Sequence, residues 1–198
     1  MTDEDRTLSP RRLEAFSDGV FAIAATLLVL DLSVENLGAI TSNDQLWHAL
    51  GSISGSLLSF VISFLLLCML WMVHARQFEH IVRVDNTVLW LNSLRLLGVV
   101  LIPFTTSLNA DFSGLLLGRL VLPLNFLFVL VLGWALWGYV STRSRGLLDE
   151  MSDAAVRSSG RRALGAVIAG LVVVLLAPFI GSWAFLAFAV SPLTSRRS

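Results

Sequence analysis

The chain has 198 residues, of which 56% are hydrophobic and 14% charged, with a mean hydropathy of +0.78. A soluble domain carries roughly a quarter charged residues, so this much apolar surface exceeds what one soluble domain can hide, and a lipid bilayer is the expected solvent. Net charge is zero with no basic arm, which excludes a nucleic-acid-binding profile; the single cysteine, Cys68, excludes an intrachain disulfide or a cysteine-based metal centre.

In chain order, the opening MTDEDRTLSPRR is mixed in charge and lacks a signal-peptide pattern. The first apolar stretch is therefore expected to remain attached and act as its own insertion signal. A hydrocarbon core of about 30 Å needs about 20 helical residues, and spans are predicted near 13–33, 47–74, 87–108, 114–141, 163–181 and 183–195. The last is short and contains Pro192, so a partial or re-entrant segment is an alternative there. Connecting segments alternate in charge. Arg6, Arg11 and Arg12 precede span one, Arg76 and Arg83 follow span two, Arg143 to Arg162 follow span four, and Arg196 and Arg197 close the chain. The intervening loops hold Asp31, Glu35 and Asp44, then Asp111. The positive-inside rule then predicts both termini in the cytoplasm and an even span count. Trp47, Trp90, Trp134, Trp137, Tyr139 and Trp183 fall near span ends and are expected as interfacial anchors. The segment 143–162 is expected to carry a short cytoplasmic helix. No internal repeat is visible, and residues 1–198 read as one membrane domain.

The first span carries the chemistry. Arg12, Ser17 and Asp18 sit at its entrance, and Asp18 lies about two turns inside the apolar run, where a carboxylate must find a partner or face water. On a helix, Ile23, Leu27 and Leu30 form one stripe, the latter two about 6 and 10 Å beyond the first, bordered by Ala22 and Thr26. Such a stripe taken alone is more often lipid-facing or packed than pore-lining. In span two, Trp71, His74 and Phe78 share a face. An Asp18–His74 or Asp18–Arg12 pair, with the Trp71 indole donating, would satisfy the carboxylate, and Asn86 and Asn92 are placed to join. The cluster reads mainly as a scaffold locking helices together and secondarily as an ion or proton contact.

Arg95 in span three is expected to snorkel to the cytoplasmic interface, the alternative being a buried Arg paired with an acid or with carbonyls, and Arg119 is expected to snorkel to the outer one. Gly51-x-x-x-Gly55 and Gly114-x-x-x-Gly118 are expected to mark close helix packing. His74 and His80 do not share a face and do not form a metal pair. No catalytic motif is present: there is no HExxH, GxSxG, phosphate loop or paired carboxylates on one face.

Arg12-x-x-x-Phe16-Ser17-Asp18, with Ala22-Ile23 and Thr26-Leu27-Leu28-x-Leu30 behind it, resembles the RxxxFSD signature of the TMEM175 family of potassium-permeable channels. Trp71-x-x-His74, Asn92 and Pro103-Phe104 are similar to further elements of that family. The resemblance implies a homotetramer whose first helices line one central pore, without the TVGYG filter of ordinary potassium channels. By position it implies that Ile23 forms the tightest constriction, Leu27 and Leu30 further apolar rings, and Thr26 a polar layer. Arg12, Phe16, Ser17, Asp18, Trp71 and His74 would form the network holding the pore helix. Ala22 departs from members with a hydroxyl residue there, which leaves the polar layer to Thr26. The resemblance also extends, through the motif aspartate, to proton permeation in animal members.

The expectation is an all-α polytopic membrane protein with six transmembrane helices and a single repeat, not an enzyme. It would conduct K+ and other monovalent cations passively across the plasma membrane as a homotetramer, with weak to moderate preference for K+ over Na+. No cofactor and no metal are expected. Asp31 and Glu35 at the outer mouth would enrich cations. The rival is a proton-coupled or other secondary transporter using Asp18 and His74, against which stands the absence of an inverted repeat; a non-conducting scaffold is the third reading.

Overall fold

The computed structural model describes residues 9–32, 40–142 and 145–190, and these are helical almost throughout. Helix α1 (Pro10–Leu27) continues as a 3₁₀ segment, Leu28–Asp31; α2 is Asn43–Ser52, α3 Ser54–Phe78, α4 Asn86–Asp111, α5 Leu116–Val140 and α6 Asp153–Ile180. A 3₁₀ segment, Gly181–Val190, follows α6. Five stretches among the described residues are long and apolar enough to cross a membrane: Pro10–Leu30, Ser54–Phe78, Asn86–Asp111, Leu116–Val140 and Asp153–Phe185.

Local chemistry sets the helix starts. Pro10 occupies the first turn of α1, where its missing N–H is no loss. Asp85 caps α4 by accepting from Val88 N at 2.9 Å, and its second oxygen accepts from the Tyr139 hydroxyl at 2.7 Å. Ser152 caps α6. The helix expected inside 143–162 is thus the first turns of α6 itself, which begins ten residues before the predicted span. Gly160 is the weakest helix former in these first turns of α6, and it faces Trp137.

Two other boundaries differ from expectation. The span predicted at 47–74 divides at Ile53, whose backbone (φ −92°, ψ 5°) ends α2 before α3 begins. The α2 helix buries no residue and leaves Leu46, Trp47 and Leu50 exposed. The segment predicted at 183–195 is not a separate membrane-length helix among the described residues. Gly181 (φ 58°, ψ −139°) adopts a conformation open essentially to glycine alone and breaks α6 there. Beyond it, Phe185 and Phe188 fold onto Phe126 of α5, with ring centroids 5.8 and 5.1 Å away. Residues 191–195 of that prediction, including Pro192, lie outside the described residues.

Helix α4 is the hub, packing against α1, α3 and α5, while α6 covers the far side of α5. The core runs from Phe21, Ala24 and Leu28 through Leu67, Leu70, Val99 and Ile102 to Phe126 and Val129. Close approach occurs at Gly98, where a Cβ would lie 2.6 Å from Val129 Cγ2, and at Gly170, 2.9 Å from Leu130 Cδ1. Of the glycines expected to pack, Gly51, Gly55 and Gly114 face open space, and Gly118 alone is crowded, by the Phe112 carbonyl.

At one end of the bundle the α3–α4 and α5–α6 connections are clasped. Ile81 and Leu148 form an antiparallel bridge, and His80 Nδ1 lies 3.2 Å from Asp149 Oδ2. At the other end Arg119 donates to the carbonyls of Ser113 and Pro178, tying the α4–α5 turn to the end of α6. Trp137 is not an interfacial anchor: it is 3% exposed and donates to Val156 O across α5 and α6.

Candidate functional site

The first helix has two faces. Leu13, Ser17, Phe21 and Ala24 are buried against the bundle, and Leu28 continues that face into the 3₁₀ segment. At 100° per residue, Arg12, Phe16, Gly19, Ile23, Thr26 and Leu27 occupy the opposite arc of roughly 100°. All six are exposed. Ile23 is 61% and Leu30 69% exposed, Leu27 less so at 39%. The Thr26 hydroxyl donates to Ile23 O at 2.8 Å, so its oxygen still presents lone pairs outward.

Leu30 departs from the straight-helix stripe. The helix tightens to 3₁₀ at Leu28. Three residues at 120° instead of 100° turn Leu30 about 60° further round the axis, and the longer rise places it about 12 Å beyond Ile23 rather than 10 Å. The side chains of Asp31 and Glu35, expected at the outer mouth, lie outside the described residues.

Behind the exposed face, Ser17 joins α1 to α4. Its hydroxyl donates to Leu13 O at 2.8 Å and accepts from Asn92 Nδ2 at 3.0 Å, with both side chains fully buried. Asp18 lies on the flank of α1 and accepts from Trp71 Nε1 at 2.8 Å. The expected indole donor is thus its partner, while neither His74 nor Arg12 is. Arg12, Phe16 and Asn86 are exposed, and the Arg12 side chain makes no hydrogen bond or ion pair among the described residues. Beside Asp18 and Trp71, between α1 and α3, is an apolar cleft of about 370 Å³ lined by Phe21, Ala22, Ala25, Leu67 and Cys68.

His74 faces inward instead, with its ring between Phe21 (5.4 Å) and Phe78 (4.3 Å). Its Nδ1 is 3.4 Å from Arg95 Nη1, which also donates to Gln77 Oε1 at 2.8 Å, while Gln77 Nε2 donates to Gly133 O at 3.2 Å. Arg95 does not snorkel: it is 1% exposed, locked between α3, α4 and α5. It starts about 15 Å into α4 at 1.5 Å per residue from Asp85, too deep for its side chain to reach the helix end past packed neighbours. Gln77, three residues after His74, is the functional neighbour that sequence reading missed. The available signal was its place beside His74 on one helix face, opposite an intramembrane arginine. His74 Nε2, Asn92 Oδ1 and Arg95 Nε have no partner among the described residues. No group of three metal-ligating side chains occurs among the described residues.

Residues 12–103 match the family model described as the endosomal/lysosomal potassium channel TMEM175. A potassium channel of Streptomyces collinus is 37% identical over 147 residues, covering 72% of this chain and 69% of that protein. The endosomal/lysosomal proton channel TMEM175 of Gallus gallus is 33% identical over 111 residues, 54% of this chain and 22% of that longer protein. The fold matches the crystal structure of a lysosomal potassium-selective channel TMEM175 homologue from Chamaesiphon minutus, with a TM-score of 0.73 and 29% identity over 91% of this chain and 93% of that one. With two-thirds of a bacterial relative covered at this identity and the motif Arg12 to Asp18 inside the region the family model matches, the chain belongs to the TMEM175 family, a family of ion channels and not of enzymes.

Proposed function

We propose that this protein is a potassium-permeable cation channel of the cell membrane. Four copies surround one pore lined by the exposed face of α1, and both termini are cytoplasmic. The observation that carries this reading is the two-faced first helix: one side is keyed into the bundle by Ser17, Phe21 and Ala24, while Ile23, Thr26 and Leu27 are left open. Lipid would accept that face, but the membrane gains nothing from leaving Arg12, Gly19 and Thr26 in the same arc. A shared aqueous conduit accommodates all of them. The naming of bacterial relatives as potassium channels supports the same reading.

Four Ile23 side chains would form a ring narrow enough to gate by dewetting. Potassium sheds water more readily than sodium, so an apolar neck favours it modestly. Thr26 would supply a polar layer next to the neck, and Leu27 and Leu30 further apolar collars. Ser17, Asp18, Trp71 and His74 hold α1 from behind, with Arg12 and Phe16 positioned to meet a neighbouring copy. The contacts of Phe185 and Phe188 with Phe126 support a chain that turns back along α5 after Gly181. A coupled transporter working through an Asp18–His74 relay is less well supported, because His74 turns to Arg95 and Asp18 to Trp71.

The test is flux from purified protein in liposomes. Passive, ATP-independent K+ flux is expected, rising with a loss of K+ over Na+ preference in Ile23→Asn. Slow, saturable flux coupled to a proton gradient would replace the channel reading with the transporter, and unchanged currents in Ile23→Asn would remove Ile23 from the pore.

A further inference from the structure

Arg95 is buried, and among the described residues no carboxylate is one of its hydrogen-bond partners. Its guanidinium offers donors only and keeps its proton in proteins. The His74 nitrogen 3.4 Å away must therefore accept. That assigns the Nδ1 lone pair to the contact and the single imidazole proton to Nε2. An imidazolium would set Nδ1–H against the guanidinium N–H, donor facing donor.

Two further features fix this arrangement. Gln77 spends its amide N–H on Gly133 O, which turns its Oε1 to Arg95 Nη1 and anchors the guanidinium from a second side. Gly133 gives the guanidinium room: a Cβ there would stand 3.0 Å from both Arg95 Cζ and Nη2. Among the described residues, the remaining groups facing His74 supply no competing charge. Asp18 of α1 is held by Trp71, Arg76 of α3 is exposed, α4 presents Asn92 and Arg95, α5 presents the Gly133 backbone, and Phe21 and Phe78 flank the ring.

We infer that Arg95 is a specificity-determining residue that acts through His74: by occupying the Nδ1 lone pair it removes this buried imidazole from any proton path leading inward from Asp18. Metal cations then pass along the open face of α1 while the bundle interior behind it conducts no protons. The consequence for ion choice rests on the channel reading above; the state of His74 does not.

The experiment uses the full chain, labelled with ¹⁵N-histidine in lipid nanodiscs, with His48→Gln and His80→Gln to leave His74 alone. A neutral ring with an accepting Nδ1 is expected, invariant between about pH 5 and 8, where a free imidazole titrates. In Arg95→Met the Nδ1 resonance is expected to lose the shift that hydrogen bonding to the guanidinium gives it, with the single-tautomer spectrum giving way to a mixture, and in liposomes proton flux is expected to rise at least tenfold. Arg95→Lys, which keeps a cationic donor, should retain the wild-type spectrum. If Arg95→Met fails to fold, Gly133→Ala takes its place, because it displaces the guanidinium without removing charge. A wild-type His74 that titrates in this range, a proton resident on Nδ1, or an unchanged spectrum in the displaced variant would overturn the inference. Wild-type protein that shows the expected spectrum but no K+ flux would instead remove the channel reading and leave the His74 assignment standing.

Discussion

At the residue scale, the hydrogen bonds behind α1 differ in weight because their surroundings differ. Ser17 and Asn92 are fully buried, so Ser17→Ala leaves the Asn92 amide without its acceptor at a cost of about 1–3 kcal/mol. Thermal unfolding of the purified protein in detergent should show a clear fall in midpoint. The Asp18–Trp71 bond is more exposed, and Trp71→Phe should cost only about 0.5–1.5 kcal/mol by the same measurement. Asp18→Asn keeps an oxygen for the indole to donate to, so it should assemble nearly as well as wild type. A large loss of folded protein would mean the charge itself has a partner in the assembly. The sequence made Asp18 and its indole donor legible, because a carboxylate inside an apolar run has few ways to be satisfied. It did not reveal that His74 turns away. Trp71 and His74 are three residues apart on one face, and whether α1 or α4 meets each depends on helix rotation, which spacing does not encode.

At the element scale, hydropathy located the first five spans, and the errors lie where local backbone chemistry interrupts or extends an apolar run. The break at Ile53 divides a stretch that hydropathy joins, and the Ser152 cap starts α6 earlier than its apolar content does, whereas the turn at Gly181 falls where the fifth predicted span ends. Glycine motifs misled for a related reason. A Gly-x-x-x-Gly pattern permits close packing but does not create a neighbour, and Gly55 has none while Gly98 has Val129 against it. Gly98→Ala should therefore destabilise by about 1–3 kcal/mol through overpacking at the α4–α5 contact. Gly55→Ala, facing open space, should be neutral or stabilising by up to about 1 kcal/mol through helix propensity. Paired thermal unfolding midpoints decide both.

At the scale of the whole molecule, the arc of α1 that the single chain leaves exposed is the surface the proposed tetramer would gather around its axis. Native mass measurement should give four chains per particle. With Cys68→Ser as background, Ile23→Cys should form oxidative cross-links between copies, while a cysteine at Val82, on the clasped connection, should not; no cross-link at position 23 would place that face in lipid. By contrast, the exposed His80–Asp149 pair is expected to be worth little, and Asp149→Ala should shift the unfolding midpoint negligibly. By itself, the sequence determined the bilayer as solvent, the helical spans, the polar entrance of the first helix and the family, because hydropathy, charge alternation and a long motif are properties of consecutive residues. Only the tertiary structure decided that Ile23 faces out while Ser17 faces in, that Arg95 is enclosed, and that His74 belongs to Arg95 rather than Asp18. Those depend on how each helix is rotated against neighbours distant in the chain, and rotation is settled by packing at contacts such as Gly98–Val129 and Gly133–Arg95, which only the assembled bundle brings together.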